Sequence, residues 1–562
     1  MNGARVLTIV LVCLTPTVFI PSAPAQSTLE NLAIRSFEIA VSITPVPLKV
    51  EFGGPAGVWA QTSPSAFSDV RFTSRGTMRG KTTAMVDVTA QSPVPTARFL
   101  LDSDLKLTSV SAPGHQVASS RQRDTLTLSF TPALPPGGRI PVTFDYEGQP
   151  LYIYDEFVMI REGSLYPVLV SPFGDFSANL ARVTLSLTAP DGYNITGTGK
   201  LISKHGGTLK WDSEIPIPWV AVAGGRKHAT RVKTAQGVTM EFYVPAGEGR
   251  NLDKLADFAG KSVDYYSRLL YPFPYSEFRV VSLLIVGGGI GYPALLLIDD
   301  RAFLNTLPGG RNRDSYLLLL IAHEVAHSYV PSQTVPRGVG FIWLSEGFAQ
   351  YLSLMAIEAL QGPEAFKREL QQQRDDYAPI AGTDIEPSIS TITFANYRGP
   401  AGVVIYNKGA LVLHMLRGVL GDETFKKGLA TYFSSFRGQS ARVSDFQQVM
   451  EQAAGQPLDW FFRQWIDAVI LPDYTITQAT SAPATEGGFR ASATVRNLGT
   501  GEMPVEVGFV MEGDLQIQKV QVPSRGEASV STITQKPVKQ VEVDPRKWIV
   551  QKNYKNDVAA VK

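Results

Sequence analysis

The period of the hydrophobic pattern changes twice along this chain, and each change closes off fold classes. From about Gln26 to Val244 apolar and polar residues alternate in short runs, as in Ala84-Met85-Val86-Asp87-Val88, Thr125-Leu126-Thr127-Leu128-Ser129-Phe130 and Arg182-Val183-Thr184-Leu185-Ser186-Leu187. A period of two, closed by turn clusters such as Pro135-Pro136-Gly137-Gly138, describes half-buried strands. From about Pro245 to Leu471 the spacing becomes helical. Leu252, Leu255, Phe258, Ala259, Val263, Tyr266 and Leu270 share a face, and further helices are expected at Tyr316–Tyr329, Leu344–Leu360, Lys408–Leu420 and Ser444–Ala454. A strand-like run, Arg279–Val286, follows the first of these helices, and Ser444 with Gln447 fits a capping box at the start of the last. After about Pro472 alternation returns (Arg490–Val495, Val505–Val510) over a length that suits one small β-sandwich. At 562 residues the chain exceeds a single core. The reading is multidomain: a leader at 1–25, an all-β domain at 26–244, a mixed helical and β domain at 245–471, and a β-sandwich at 472–562.

Composition narrows the class of partner. Hydrophobic residues make up 44% and charged residues 18%, which excludes a disordered or collagen-like chain. Lys+Arg 52 balance Asp+Glu 51 without a dense basic block, so no nucleic-acid partner is expected. Arg5, the apolar run Val6–Ile20 broken by Pro16, and Ala23-Pro24-Ala25 read as a cleaved export signal, which points to a periplasmic or extracellular protein. No later stretch reads as a membrane span. Cys13, the single cysteine, lies in that leader, so stability after cleavage must come from core size or a metal, without disulfides.

The chemistry concentrates in the middle zone. His323-Glu324-Val325-Ala326-His327 follows the apolar run Leu317–Ile321. Residues four apart on a helix lie on one face, so both imidazoles can reach one metal ion while Glu324 stands beside them. The alternative is chance, but His occurs only 6 times in the chain, and an apolar helix is a costly place for two imidazoles and a carboxylate without a partner. A catalytic zinc keeps three protein ligands and one open position. Glu346, 19 positions after His327 and within Trp343-Leu344-Ser345-Glu346-Gly347-Phe348-Ala349-Gln350-Tyr351, supplies the third.

H-E-x-x-H followed by Glu in W-L-x-E-G-F-A-x-Y resembles the signature of the gluzincin aminopeptidases, the group of aminopeptidase N and leukotriene hydrolase. Tyr275-Ser276-Glu277-Phe278, Tyr406-Asn407-Lys408-Gly409-Ala410 and Trp460-Phe461-Phe462-Arg463-Gln464-Trp465 extend the resemblance in the family's order. It implies a saddle-like N-terminal β-domain, a thermolysin-like catalytic domain and a small β-sandwich. No helical pattern follows Leu471, so the large helical C-terminal domain of many members is not expected within this sequence. The resemblance further implies one zinc ion on His323, His327 and Glu346, Glu324 as general base, Tyr406 as the hydroxyl that meets the developing oxyanion, and a peptide substrate. A non-peptide hydrolase on the same scaffold, or a binding protein that keeps the fold, are the alternatives.

One motif departs from the family. Where members carry G-A-M-E-N or G-G-M-E-Y-P, this chain has Gly288-Gly289-Ile290-Gly291-Tyr292-Pro293. Gly288, Gly289, Gly291 and Tyr292 fall on the substrate-binding positions, and Gly291 stands where the amine-binding Glu belongs. Restoring a carboxylate with Gly291→Glu is therefore expected to raise activity on free-amine substrates. Asp299 and Asp300 are the nearest carboxylates that could substitute, although a structural role suits them better. His115, His205, His228 and His414 have no ligand-like neighbours and read as surface or packing residues.

Overall fold

The computed structural model describes residues 31–47, 50–52, 70–72, 74–150, 152–155, 157–171, 175, 177–226, 228–235, 237–245, 251–283, 288–307, 314–485 and 487–561. The leader expected at 1–25 lies outside these residues, as does the end of the run Arg279–Val286. The chain forms two compact units. One runs as far as Gly338 and includes Phe433–Arg442; the other comprises Val339–Tyr432 and Val443–Lys562.

The first unit begins all-β. Thr77–Val88 alternates buried and solvent-facing residues along its length. It pairs antiparallel with Leu32–Thr44 on one side and with Arg139–Gly148 on the other. Leu32–Thr44 in turn pairs parallel with Arg182–Thr188, within a seven-stranded sheet. A four-stranded sheet contains Val94–Leu100 and Thr125–Leu134, and its Phe99 meets Phe144 of the large sheet edge-on at 5.0 Å. The turn at Pro135–Gly138 works because Gly137 takes a left-handed φ of 67°.

A five-stranded sheet follows, in the order His228–Ala235, Val238–Pro245, Glu277–Leu283, Leu295–Asp299, Gly289–Tyr292. Its parallel members, Glu277–Leu283 and Leu295–Asp299, are buried almost throughout. A strand covered on both faces needs a largely apolar run, which Leu295–Asp299 supplies; Glu277–Leu283 also buries Arg279, which pairs with Glu241 at 3.1 Å. The last strand, Gly289–Tyr292, turns back antiparallel on Leu295–Asp299. The helix Leu252–Leu269 buries Leu255, Phe258, Ala259, Val263 and Tyr266, and the Tyr266 hydroxyl donates to the Ala322 carbonyl at 3.0 Å. That bond ties it to the helix Asp314–Ala326, which is buried from Ser315 onward. Such a helix is apolar on every side, so its polar residues stand out.

In the second unit, helices Phe348–Gln361 and Pro363–Tyr377 meet at Gly362, whose φ is 87°. A continuous helical run, Pro400–Leu420, is long and apolar enough to cross a membrane, contrary to the expectation that no later stretch would be. Its most apolar window is 83% buried inside the protein, which marks it as a core helix by the present packing. The expected capping box does not form. The helix starts at Val443, so Ser444 lies inside it and not at the cap, and the Gln447 side chain extends forward, its amide N–H donating to Glu451 at 2.9 Å. The C-terminal strands form two sheets, one of Tyr474–Pro483, Phe489–Asn497 and Glu527–Thr534, the other of Asp514–Gln521, Pro504–Met511, Gln540–Val543 and Val558–Ala560.

Asp544, fully buried beside these sheets, makes one pH prediction. Its two carboxyl oxygens accept from the backbone N–H groups of Trp548 and Ile549 at 2.9 and 2.7 Å. Burial nevertheless pushes its pKa up to about 7. The folded state thus holds a proton that the unfolded chain releases near pH ~3.9. This stability is present in full below that value and is lost as pH rises toward 7, by about 1–4 kcal/mol. Thermal melts should fall in midpoint between pH 5 and 8, and Asp544→Asn should flatten the slope. Equal slopes in the two proteins would assign the effect to other groups.

Candidate active site

The helix Asp314–Ala326 carries His323 and Glu324, and His327 sits in the turn that closes it, its N–H reaching the Glu324 carbonyl at 3.2 Å. Both histidines and Glu324 are buried. The two imidazoles stand 4.9 Å apart between ring centres and nearly perpendicular, at 84°. Nδ1 of His327 lies 2.9 Å from the Val330 carbonyl oxygen. A donor at Nδ1 fixes the tautomer and leaves Nε2 as a ligand atom.

Glu346 lies on a π-helical turn, Trp343–Gly347, where the sequence pattern predicts plain α-helix from Leu344. The helix continues as α from Phe348. His323, His327 and Glu346 offer ligand atoms that all lie within 4.8 Å of one another. Two nitrogens and one carboxylate oxygen at this separation fit a zinc ion with a coordination position left over.

Tyr406 occupies a second π turn, Val404–Lys408, between Pro400–Val403 and Gly409–Leu420. It is therefore mid-helix and buried, where the sequence reading started the helix at Lys408. The residues beside it are held by buried polar contacts. Lys408 reaches the Glu386 carboxylate at 2.6 Å with both side chains fully buried, and Tyr377 donates to the same oxygen at 2.6 Å. Burial pulls the Lys408 pKa down from its ordinary value, and Glu386 counters it. Asn407 donates to Gln373 at 2.9 Å.

The glycine-rich strand lies directly on the end of the helix that carries His323 and Glu324. In a strand, alternate residues share a face. A Cβ placed on Gly289 would sit 2.7 Å from the Glu324 carboxyl, and one on Gly291 would sit 2.5 Å from His327 Cβ. Glycine at both positions is what permits this approach. Gly288 uses its carbonyl inside the sheet, accepting from the Asp299 N–H at 3.0 Å.

Asp299 serves structure. Asp299 is fully buried, caps the short helix Asp300–Leu304, and takes the Arg301 guanidinium at 2.5 Å. Asp300, beside it, is raised to about 6 by burial and by Asp299. Sequence reasoning missed a different carboxylate. Glu162 follows the strand Val158–Arg161, and its carboxyl is nearly buried beside the Tyr292 hydroxyl, with burial raising its pKa. The Arg161 guanidinium lies 3.6 Å away. No local motif marks Glu162, because 130 residues separate it from the strand it meets. Two of the other histidines are packed. His228 lies 2.9 Å from the Ser282 carbonyl oxygen, and His414 stacks on Trp548 at 4.6 Å.

Residues 261–465 match the Peptidase family M1 domain. Among curated proteins, aminopeptidase M1-B of Oryza sativa subsp. japonica is 25% identical over 252 residues, 44% of this chain and 29% of that protein. Aminopeptidase N of Lactococcus lactis subsp. lactis is 25% identical over 281 residues, 46% of this chain and 31% of that protein. Puromycin-sensitive aminopeptidase of Caenorhabditis elegans is 26% identical over 274 residues, 46% of this chain and 28% of that protein. The match spans about a third of the length of these relatives.

Proposed function

We propose, from the match of residues 261–465 to the Peptidase family M1 domain, that the chain is a zinc metallopeptidase. The observation that carries the reading is the convergence of His323, His327 and Glu346. These three would hold one zinc ion, which when bound polarises a carbonyl and acidifies water. Glu324 takes the proton of the attacking water and delivers it to the departing amine. The Tyr406 hydroxyl donates to the carbonyl oxygen as negative charge gathers there. The strand Gly289–Tyr292, last in its sheet, aligns an extended peptide through backbone hydrogen bonds. The β-region before this domain is a saddle, the domain itself is thermolysin-like, and the two C-terminal sheets form a sandwich. Ala23-Pro24-Ala25 supports export, with a periplasmic or extracellular site of action.

The counter-charge for a free α-amine comes from Glu162. Its carboxyl meets Tyr292, next to Gly291, where an added Cβ would run into His327, so it reaches the same strand from another part of the chain. The test compares an N-blocked, internally quenched peptide with its free-amine twin, with and without chelator, in the wild type and in Glu162→Gln. Chelator should stop both reactions, and turnover that ignores it would overturn the zinc assignment. The wild type should prefer the free amine about tenfold or more, the scale of a buried charge pair. Glu162→Gln should remove most of that preference. Equal cleavage of the two peptides by the wild type would discard the amine role and leave an endopeptidase.

A further inference from the structure

We propose that the turn bearing Glu346 and the turn bearing Tyr406 are mechanically one piece, joined by two buried bridges, and that Trp343, Gly409 and Gln373 are positioning residues for both. The roles of Glu346 and Tyr406 rest on the metallopeptidase reading; the coupling does not.

Both turns are π-helical interruptions of longer helices, and each is followed closely by a glycine or ends in one. A π turn holds one residue more than the α turn it replaces, which swings side chains around the axis and disturbs the backbone ladder. The two interruptions meet. The Trp343 indole N–H, fully buried, donates to the Gly409 carbonyl at 3.0 Å. A Cβ on Gly409 would stand 2.8 Å from Trp343 Cδ1 and 3.4 Å from Gly347 Cα. A Cβ on Gly347 would stand 2.5 Å from Trp343 Cδ1 and 3.3 Å from the Ile405 carbonyl oxygen. Glycine on each side therefore sets the spacing between the turns. The indole itself is wedged against Phe348 and Phe446, edge-on at 5.3 and 6.1 Å, so it cannot swing to follow one turn alone.

The second bridge runs through Gln373. Its amide oxygen accepts from Asn407, next to Tyr406, at 2.9 Å, and from Gln350, one turn beyond Glu346, at 3.2 Å. All three side chains are buried. A shift of either turn would strand a buried donor at both bridges, and an unpaired buried polar group is costly. The favourable response is for both turns to shift together. Coupling then follows from two discrete contacts rather than from proximity.

Three measurements test this. Gly409→Ala adds a methyl on the Tyr406 side without touching any proposed ligand, and Trp343→Phe keeps a ring but loses the hydrogen bond. Each should lower zinc affinity, read by chelator competition, by about tenfold, as removal of a ligand-supporting contact does. Each should lower kcat with KM nearly unchanged, the pattern of an interaction made in the transition state. In the wild type, adding zinc should slow amide exchange across Val404–Lys408, while the remote strand Phe489–Asn497 stays unchanged. Zinc affinity within twofold of wild type in both variants, with exchange at Val404–Lys408 indifferent to zinc, would overturn the proposal. If the wild type binds no zinc, the functional reading fails, and the coupling is judged on exchange in Trp343→Phe alone. Faster exchange in both turns supports it; loosening confined to Trp343–Gly347 sinks it.

Discussion

Replacing Glu324 by Gln is expected to reduce kcat for peptide hydrolysis by about 10²–10⁴-fold, the range a positioned general base supplies. Glu324 is fully buried and its carboxyl lies close against Gly289, so the site has room for an amide of the same shape and for little else. The substitution removes proton transfer with the packing kept, and zinc content measured on the purified variant should equal that of the wild type. Normal turnover would remove Glu324 from the mechanism. Loss of zinc together with activity would instead make it a structural support of the ligands.

Gly291→Glu is expected to lower activity, reversing what the sequence suggests. By motif, position 291 lacks the carboxylate that binds an α-amine, and supplying one promises a gain. The fold forbids it. Gly291 shares a strand face with Gly289, and that face lies on the end of the helix that carries His323 and Glu324. Its Cβ would fall 2.5 Å from His327 Cβ and 2.8 Å from Cδ2, so any side chain must push the imidazole from where it stands. Zinc affinity should drop about 10–100-fold, the scale seen when a ligand loses its support. Activity on free-amine reporters should fall with it, and Gly291→Ala should already reproduce most of the loss. A rise in activity would mean that the strand can move away from the helix at little cost.

Much of the layout could be read from local pattern. Thr77–Val88 and Phe489–Asn497 form strands because alternation suits a half-buried pleat, and Leu252–Leu269 forms a helix because its apolar residues recur every three or four positions. The capping box at Ser444 fails because the helix begins one residue earlier, at Val443, a shift that the local pattern of residues does not resolve. Glu162 could not be read at all, since its importance comes from meeting Tyr292 across the fold.

Local spacing alone singles out the three residues that the structure brings within reach of one another. His323, His327 and Glu346 are identifiable because four-residue spacing puts side chains on one helical face, and because buried imidazoles and carboxylates need a partner. How closely the glycine strand lies on that helix, that Glu346 and Tyr406 stand on π turns, and that those turns are bridged emerge from the packing of distant segments. Such features depend on backbone approach measured in tenths of an ångström between segments far apart in the chain. Hydrophobic period records which face is buried, and carries no information about what is pressed against it.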